Sequence, residues 1–305
     1  MSLRQEHVLT AAITAAATTT LLVSTFWFQQ ARRESEPRSS IERTDDEPDF
    51  RSGQVEPSPS SSPSSISSSN GTGDPEHVAF DHERLSMPEI RSRARRFLAL
   101  LSMRRTIRFF STDPVPKDVI EAIIETACTA PSGAHKQPWS FVAVSDANVK
   151  AQIREMVEKE ETLNYQRRMR KSWVQDVEGM VSQVHGDDGE TIQKPYLTEA
   201  PWIIVVFKQP HGIDPDTNER IDHYYVQESV GIACGILISA IQNANLATLT
   251  STPMGAEKGI RTLLGRPDHE KVVLLMPVGF PAENATVPFR RQERKPLDQV
   301  LFWKQ

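Results

Sequence analysis

The chain has 305 residues, a formal net charge of −5 and 38% hydrophobic residues, so it is long enough for a domain with a sizeable core. Its acidic balance gives no support to nucleic-acid binding. The sequence has no G-x-G-x-x-G motif between a strand and a helix, no zinc-ligand spacing and no Ser/His/Asp order. It therefore gives no support to a Rossmann dinucleotide site, a metal centre or a hydrolase triad.

The N-terminal quarter predicts a membrane anchor followed by a tether. Residues 8–31 carry no charge, and 9–28 would cross a bilayer as a helix of about 20 residues. A secretory signal has a shorter apolar run with small residues after it, so we interpret 1–31 as an uncleaved single-pass anchor. Arginines are more frequent after the run than before it, which predicts a cytosolic catalytic domain. Residues 32–74, rich in Ser, Pro and charge, predict a disordered tether.

Helices and strands interleave along the remaining residues, 75–305. Apolar residues at helical spacing and β-branched runs bounded by turn residues are the signals. The predicted helices span 87–101, 117–129, 147–160, 225–245 and 257–264, and the predicted strands span 139–144, 202–207, 246–251 and 272–278.

Three of these elements carry expectations about burial. In helix 87–101, the residues Ile90, Ala94, Phe97, Leu98 and Leu101 share one face, which we expect to be buried. The stretch 230–241 is apolar nearly all round and predicts either a central buried helix or a dimer interface. The two cysteines, Cys128 and Cys234, lie in apolar helical contexts and are expected to be buried free thiols.

A basic cluster precedes the second predicted helix, and a small-residue turn follows that helix. Arg104, Arg105 and Arg108 lie within five residues, and the turn is Pro131-Ser132-Gly133-Ala134-His135. Guanidinium groups are planar forks that match phosphate oxygens, so the combination indicates a phosphate site. A solvated basic face would give the same pattern, and the cluster alone does not decide between the two.

Eight motifs carry a resemblance that covers nearly all of 75–305. They are RRTIRF at Arg104, APSGAH at Ala130, NYQRRM at Asn164, HYYVQESVGIACGIL at His223, LTSTP at Leu249, LLGRPDHEK at Leu263, PVGFP at Pro277 and RKPLDQ at Arg294. By these motifs the chain resembles the nitroreductase-type flavoproteins and, within them, the iodotyrosine deiodinase family. The resemblance implies an α+β fold that binds FMN, with a mixed sheet surrounded by helices. It also implies a domain-swapped homodimer whose active sites draw on both subunits.

The resemblance also implies which residues bind the cofactor. FMN would be held by Arg104, Arg105, Thr106, Ile107, Arg108, Ser132, Gly133, Thr250, Ser251, Thr252 and Arg294. The arginines and Thr106 would hold the phosphate and ribityl chain. Thr250 is the catalytic candidate, because a hydroxyl beside flavin N5 permits single-electron steps. Without the resemblance, these threonines and Ser251 would be ordinary hydroxyls at the end of a strand.

The substrate residues follow from the same resemblance. Glu161 would bind the ammonium group of an amino acid, while Tyr165 and Lys194 would bind its carboxylate. The backbone N–H of Ala134 would contact a halophenolate oxygen. The segment 161–197 would form a lid, which here contains an acidic Gly-containing insert at 186–189.

The implied activity is reductive dehalogenation of mono- and diiodotyrosine, or of other halotyrosines, to tyrosine and halide. NADPH would supply the electrons through a separate reductase. Two alternatives stay open: a nitroreductase or quinone reductase that uses NAD(P)H directly, and a non-catalytic membrane-tethered protein that binds flavin or halotyrosine. His135 is given no acid–base role, because a lone histidine is more often structural or solvent-facing.

Overall fold

The computed structural model describes residues 80, 82–178, 184–185, 192–288 and 293–304. The predicted anchor at 1–31 and the predicted tether at 32–74 lie outside these residues. Within the described ranges, none of the helices is both long and apolar enough to cross a membrane.

The predicted helices and strands are present with small changes at their ends, except that the predicted strand 246–251 is reduced to the two residues Ala247–Thr248. The helices are α1 (Met87–Ser102), α2 (Lys117–Cys128), α3 (Ala147–Leu163), α4 (Lys171–Glu178), α5 (Tyr196–Glu199), α6 (Val226–Asn243) and α7 (Glu257–Leu263). The strands are β1 (Trp139–Val144), β2 (Val184–His185), β3 (Ile192–Gln193), β4 (Trp202–Lys208), β5 (His211–Ile213), β6 (Arg220–Asp222), β7 (Ala247–Thr248) and β8 (Lys271–Gly279). A π-helical turn, Asn164–Arg168, follows α3 directly.

Side-chain caps set the start of two helices. The Ser86 side chain accepts a hydrogen bond from the Glu89 N–H before α1. At α3 the carboxylate of Asp146 accepts from the Val149 N–H over 2.8 Å. Each cap satisfies a backbone donor that has no partner within the helix, so these two starts are well defined by local sequence.

The central sheet has four strands in the order β1-β4-β8-β7, and neighbouring strands run antiparallel. A parallel pairing is present at the isolated bridge between Thr106 and Thr248. The described strands therefore form an antiparallel sheet, where the resemblance implied a mixed one, and the parallel pairing recorded in the described ranges is this one isolated bridge. The bridge matters for function because it fastens the segment after α1 to the sheet.

Both faces of the sheet are buried, which explains the continuous apolar run of β4. Ile203, Val205 and Phe207 pack into a cluster with residues of α3 and α7. The alternate residues Ile204 and Val206 pack with α2 and α6 on the opposite face. Because successive side chains of a strand point to opposite faces, a strand covered on both sides needs an apolar residue at every position.

The expectation of a buried face on α1 is wrong for the single chain. Phe97 and Leu98 are 54% and 67% exposed, and Ile90 and Ala94 are exposed as well. A helical apolar pattern indicates that a face is suited to burial, but it does not say which molecule covers it.

The helix α6 is buried on one face only. Val230, Ala233 and Leu237 lie in the core, while Ile232 is exposed. With α1 and α2, the exposed side of α6 lines an apolar cavity of about 790 Å³. In the described chain the helix is therefore covered on one face and is not surrounded by its own chain on all sides.

The expectation for the cysteines holds for one of the two. Cys234 is buried, and burial raises the pKa of its thiol to about 11. Cys128 is exposed, because it is the last residue of α2 and the preceding Ala127 takes the buried position.

Candidate active site

The arginine cluster and the chain after β8, which we call the C-terminal arm, both line one cavity of about 300 Å³. The lining residues predicted as phosphate ligands are Arg104, Arg105, Thr106, Arg108 and Arg294, and the others are Val287 and Pro288. We call the five predicted ligands the arginine cradle. Arg294 is nearly 190 residues from the other members in the sequence. Its presence in the same cavity supports a specific anion-binding site over a solvated basic face.

Backbone contacts fix the shape of the cradle. The Arg105 guanidinium donates to the carbonyl oxygens of Ser102, at 2.7 Å, and Arg104, at 2.9 Å. The Ile107 N–H donates to the Thr248 carbonyl over 3.3 Å. The segment is therefore held between the end of α1 and the sheet, which pre-organises the guanidinium groups.

The electrostatics of the cradle suit an anion. Burial lowers the pKa of Arg104, and the positive charges of Arg294 and Arg105 lower it further. This direction means that the protein environment disfavours the charged form of the guanidinium. A phosphate dianion between these side chains would relieve the repulsion and form charge-assisted hydrogen bonds.

The turn 131–135, which contains the predicted flavin residues Ser132 and Gly133, is not among the residues that line the cradle cavity, and it needs a glycine. A Cβ on Gly133 would lie 2.6 Å from the Tyr224 carbonyl oxygen, which is a backbone atom and cannot swing away. The Gly133 N–H donates to the Ser229 hydroxyl of α6 over 3.2 Å, and the Ser132 hydroxyl accepts from the Gln137 N–H over 2.8 Å. The turn is thus fixed against the start of α6.

Left-handed backbone marks the same turn. Ala134 has φ 48°, His135 φ 53° and Gln137 φ 45°. Residues with a Cβ rarely adopt positive φ, and such strain is typical of sites where backbone groups must face a ligand.

The predicted threonines lie just after the sheet strand that contacts the cradle. Ser251 forms two backbone hydrogen bonds with Leu275 of β8, and Thr250 and Thr252 on either side are exposed. Thr248 bridges Thr106, so the run 248–252 begins beside the cradle.

The residues predicted to bind a zwitterion contact each other. Lys194 Nζ and Glu161 Oε1 are 2.8 Å apart, with side chains that are 7% and 20% exposed. Burial lowers the pKa of Lys194, but Tyr196, Glu161 and Tyr165 outweigh burial, and the net pKa is raised. The lysine is therefore held as a cation beside Glu161 and Tyr165. We call Glu161, Tyr165 and Lys194 the clamp.

Tyr196 is a site residue that sequence reasoning missed. It is buried, and burial raises the pKa of its hydroxyl against the lowering effects of Lys194, Ser251 and Arg108. Its hydroxyl is therefore close enough to Lys194 and Arg108 for both charges to affect its pKa. The only sequence signal was its position two residues after Lys194, because a tyrosine in an apolar run is normally assigned to the core.

Several predicted features fall outside the described residues. The acidic insert at 186–189, and with it most of the middle of the predicted lid, is among them. The described parts of 161–197 include all three clamp residues. No group of three or more His, Cys, Asp and Glu residues in the described ranges is arranged to hold a metal ion.

Comparison with known proteins identifies the family. The family model described as the nitroreductase family matches residues 101–280. Solved structures with a similar fold include a crystal structure of oxidized iodotyrosine deiodinase bound to FMN and 3-iodo-L-tyrosine. The match covers 61% of this chain and 90% of the deiodinase chain, with 27% sequence identity and a TM-score of 0.51. A BluB-like flavoprotein from Clostridium difficile, 17% identical with a TM-score of 0.50, shares the fold.

Curated relatives are considerably more similar in sequence. Iodotyrosine deiodinase 1 of Rattus norvegicus is 47% identical over 226 residues, which are 74% of this chain and 75% of the relative. The iodotyrosine deiodinase of Nematostella vectensis is 44% identical over 237 residues, 76% of this chain and 86% of the relative. The chain belongs to the nitroreductase family and, within it, to the iodotyrosine deiodinases.

Proposed function

We propose that this chain catalyses the FMN-dependent reductive deiodination of iodotyrosine. The observation that carries the proposal is the presence, in one domain, of a cation cavity suited to a phosphate and a buried pair of opposite charges suited to an amino-acid zwitterion. The relatives at 44–47% identity are iodotyrosine deiodinases. The net reaction takes two electrons and one proton, replaces the C–I bond by C–H and releases iodide.

The donor set of the arginine cradle fits FMN. Arg104, Arg105, Arg108 and Arg294 would hold the phosphate, with Thr106 and the backbone of Ile107 beside the ribityl chain. Ser132 and Gly133 would lie along the ring system, as would the run 250–252. Bound FMN supplies the electrons for the reaction. Thr250, whose side chain is exposed, can present its hydroxyl to the ring edge, and this is our catalytic assignment.

The clamp binds the substrate by exchanging partners. Glu161 accepts the ammonium group of iodotyrosine, and Lys194 and Tyr165 donate to its carboxylate. Each charged side chain then exchanges a partner in the protein for one in the ligand, so neither is left as an unpaired buried charge. With the ammonium and carboxylate groups of the amino acid both fixed, the Ala134 N–H can donate to the phenolate oxygen at the other end of the molecule. We propose that the segment 161–197 acts as the lid that orders around the bound amino acid and excludes water.

A second copy of this chain is proposed to cover the exposed apolar surfaces. The cavity between α1, α2 and α6 is lined by residues such as Phe97, Val119 and Ile232. The C-terminal arm carries Phe302 and Trp303, which are 77% and 76% exposed. Apolar surfaces of this size on one chain indicate an interface, and the arm supplies apolar groups that fit a groove. This agrees with a domain-swapped homodimer.

The remaining partners are proposals from the sequence. NADPH would deliver electrons through a separate reductase, since the sequence carries no dinucleotide fingerprint. Residues 1–31 would anchor the protein in a membrane as a single pass, with the catalytic domain in the cytosol. Other halotyrosines, with bromine or chlorine in place of iodine, would fit the same site, because the clamp contacts only the amino-acid end and the Ala134 N–H contacts only the phenolate oxygen.

One experiment separates the proposed function from its alternatives. The domain 75–305 is purified, its flavin is reduced chemically, and iodotyrosine is added without any reductase. Release of stoichiometric iodide and tyrosine supports deiodination. Rapid oxidation of added NADPH with no iodide release would favour a nitroreductase or quinone reductase, and colourless protein after gentle purification would favour a non-catalytic binding protein.

A further inference from the structure

One face of α3 holds the residues around Lys194 through a row of polar contacts. Lys150, Arg154, Glu158, Glu161 and Thr162 recur at helical spacing and face the segment 192–201. We call them the polar ladder. Sequence analysis placed only Glu161 in the site, because the others look like the charged face of a surface helix.

The lower end of the ladder fixes α5, the short helix that follows Lys194. Lys150 Nζ donates to the carbonyl oxygens of Ala200, at 2.7 Å, and Thr198, at 3.2 Å. Arg154 donates to the Thr198 hydroxyl over 2.9 Å. The two lysine bonds satisfy carbonyls at the end of α5 that have no partner within so short a helix.

The upper end fixes the backbone that enters Lys194. Glu158 Oε1 accepts a hydrogen bond from the Lys194 N–H, and the Thr162 hydroxyl accepts from the Ile192 N–H over 3.1 Å. Glu158 is itself paired with Arg154, whose Nε is 2.6 Å from the same carboxylate oxygen. Both side chains of this pair are largely buried, so water competes weakly for the contacts.

We propose that Glu158 is a positioning residue for the binding of the substrate carboxylate: it fixes the backbone of Lys194, whose ammonium group binds that carboxylate. Arg154 in turn holds Glu158 in place. The inference rests on the proposed function. The physical reason is the flexibility of lysine: its ammonium group is carried on a flexible four-carbon chain, so the group is placed accurately only if the Cα is fixed. Before substrate binds, the contact with Glu161 orients the ammonium group of Lys194, while the hydrogen bond to Glu158 fixes the position of the Lys194 backbone.

The test compares Glu158→Leu, Glu158→Gln and Arg154→Met in the full FMN-loaded protein. Glu158→Leu removes the acceptor, so we expect the KM and Kd for iodotyrosine to rise about tenfold or more, with kcat changed less than about twofold. Glu158→Gln keeps a neutral acceptor and should cost about two- to threefold. Arg154→Met should lie between them. Glu155→Leu, on the exposed face of the same helix, is the matched control and should leave all values unchanged.

Iodotyramine, which has the ammonium group but no carboxylate, provides the decisive readout. If Glu158 acts through Lys194 and the carboxylate, Glu158→Leu should weaken iodotyrosine binding and leave iodotyramine binding unchanged. Equal losses for both ligands, or a parallel loss of FMN, would indicate general damage and overturn the proposal. If Glu158→Leu does not fold, Glu158→Gln and Arg154→Met are judged by the same ligand comparison.

The two proposals can fail separately. Failure of the unmodified protein to release iodide would remove the proposed function. Deiodination by the unmodified protein together with normal iodotyrosine binding by Glu158→Leu would remove only the role of Glu158.

Discussion

The cradle and the clamp differ in how their charged side chains are combined. The cradle gathers like charges, and Arg294 and Arg105 add to burial in lowering the pKa of Arg104. The clamp gathers opposite charges, and Lys194 is paired with Glu161 at 2.8 Å in a largely buried position. The like charges of the cradle therefore repel one another, while the opposite charges of the clamp compensate each other.

The difference indicates two kinds of binding. A resident cofactor suits a site of like charges, because the phosphate of the cofactor relieves their mutual repulsion when it binds. A substrate that enters and leaves in every cycle is better served by residues that pair with each other when it is absent, since no buried charge is then left without a partner. The predictions below test this contrast, beginning with the largest expected effect.

Removing a cation from the cradle should act on FMN and not on the clamp. We expect Arg104→Ala to lower FMN affinity about 10- to 100-fold, because a charge-assisted phosphate contact is lost. Fluorescence titration of the apoprotein measures this. Arg93→Ala, on the exposed surface of α1, is the control and should bind FMN normally. An Arg104→Ala protein that retains its yellow colour through dialysis would show that the cradle is only a basic face.

Breaking the clamp should act on iodotyrosine and not on FMN. Lys194→Met keeps the length of the side chain without its charge, and we expect iodotyrosine affinity to fall about tenfold or more with FMN affinity unchanged. Quenching of flavin fluorescence by iodotyrosine reports the binding. Arg168→Met, which breaks the more exposed pair with Glu160, serves as the comparison. Comparable losses in the two variants would mean that burial of the Lys194 pair is irrelevant.

The clamp should also give stability that disappears in alkali. The folded-state pKa of Lys194 is raised above its ordinary 10.5, so its contribution is complete below about 10.5 and is lost as the pH rises through the folded value. Wild type should therefore lose more unfolding free energy in this range than Lys194→Met does. Urea unfolding at about pH 9 and about pH 11 tests the difference. Lys159→Met, on the exposed side of α3, should behave like wild type.

Salt gives the smallest expected effect. The cradle is an open cavity, whereas the Lys194 ammonium is almost fully buried, so added salt should weaken FMN binding by severalfold and iodotyrosine binding less. Titrations at about 0.05 M and about 1 M NaCl measure both. An equal salt dependence would indicate that the clamp is open to solvent during binding.

Local patterns predicted the elements, and motif resemblance predicted the members of the site. Strand β4 and helix α3 follow directly from an apolar run and an Asp cap. The prediction that Arg104 and Arg294 lie in one site came from the motif match, since no local signal relates residues so far apart. Tyr196 and Glu158 could not be predicted, because their roles depend on which backbone groups the fold brings opposite them.

The burial of α1 was predicted wrongly for a related reason. The periodicity of Phe97 and Leu98 gives the direction of an apolar face, and the molecule that meets this face is not encoded in the periodicity. Cys128 shows the same limit at the level of one residue: a change of one position along a helix turns a side chain by about 100°, from core to solvent.

The uncovered apolar groove between α1, α2 and α6 has a consequence for how the protein is made. If a second copy fills it, the last stage of folding is a bimolecular encounter, and newly synthesised chains expose adhesive surface until they meet. Expression level then sets the yield of native protein, and thermal resistance rises on concentrating the sample. A host that produces the chain slowly would depend on chaperones to keep it from aggregating during that wait.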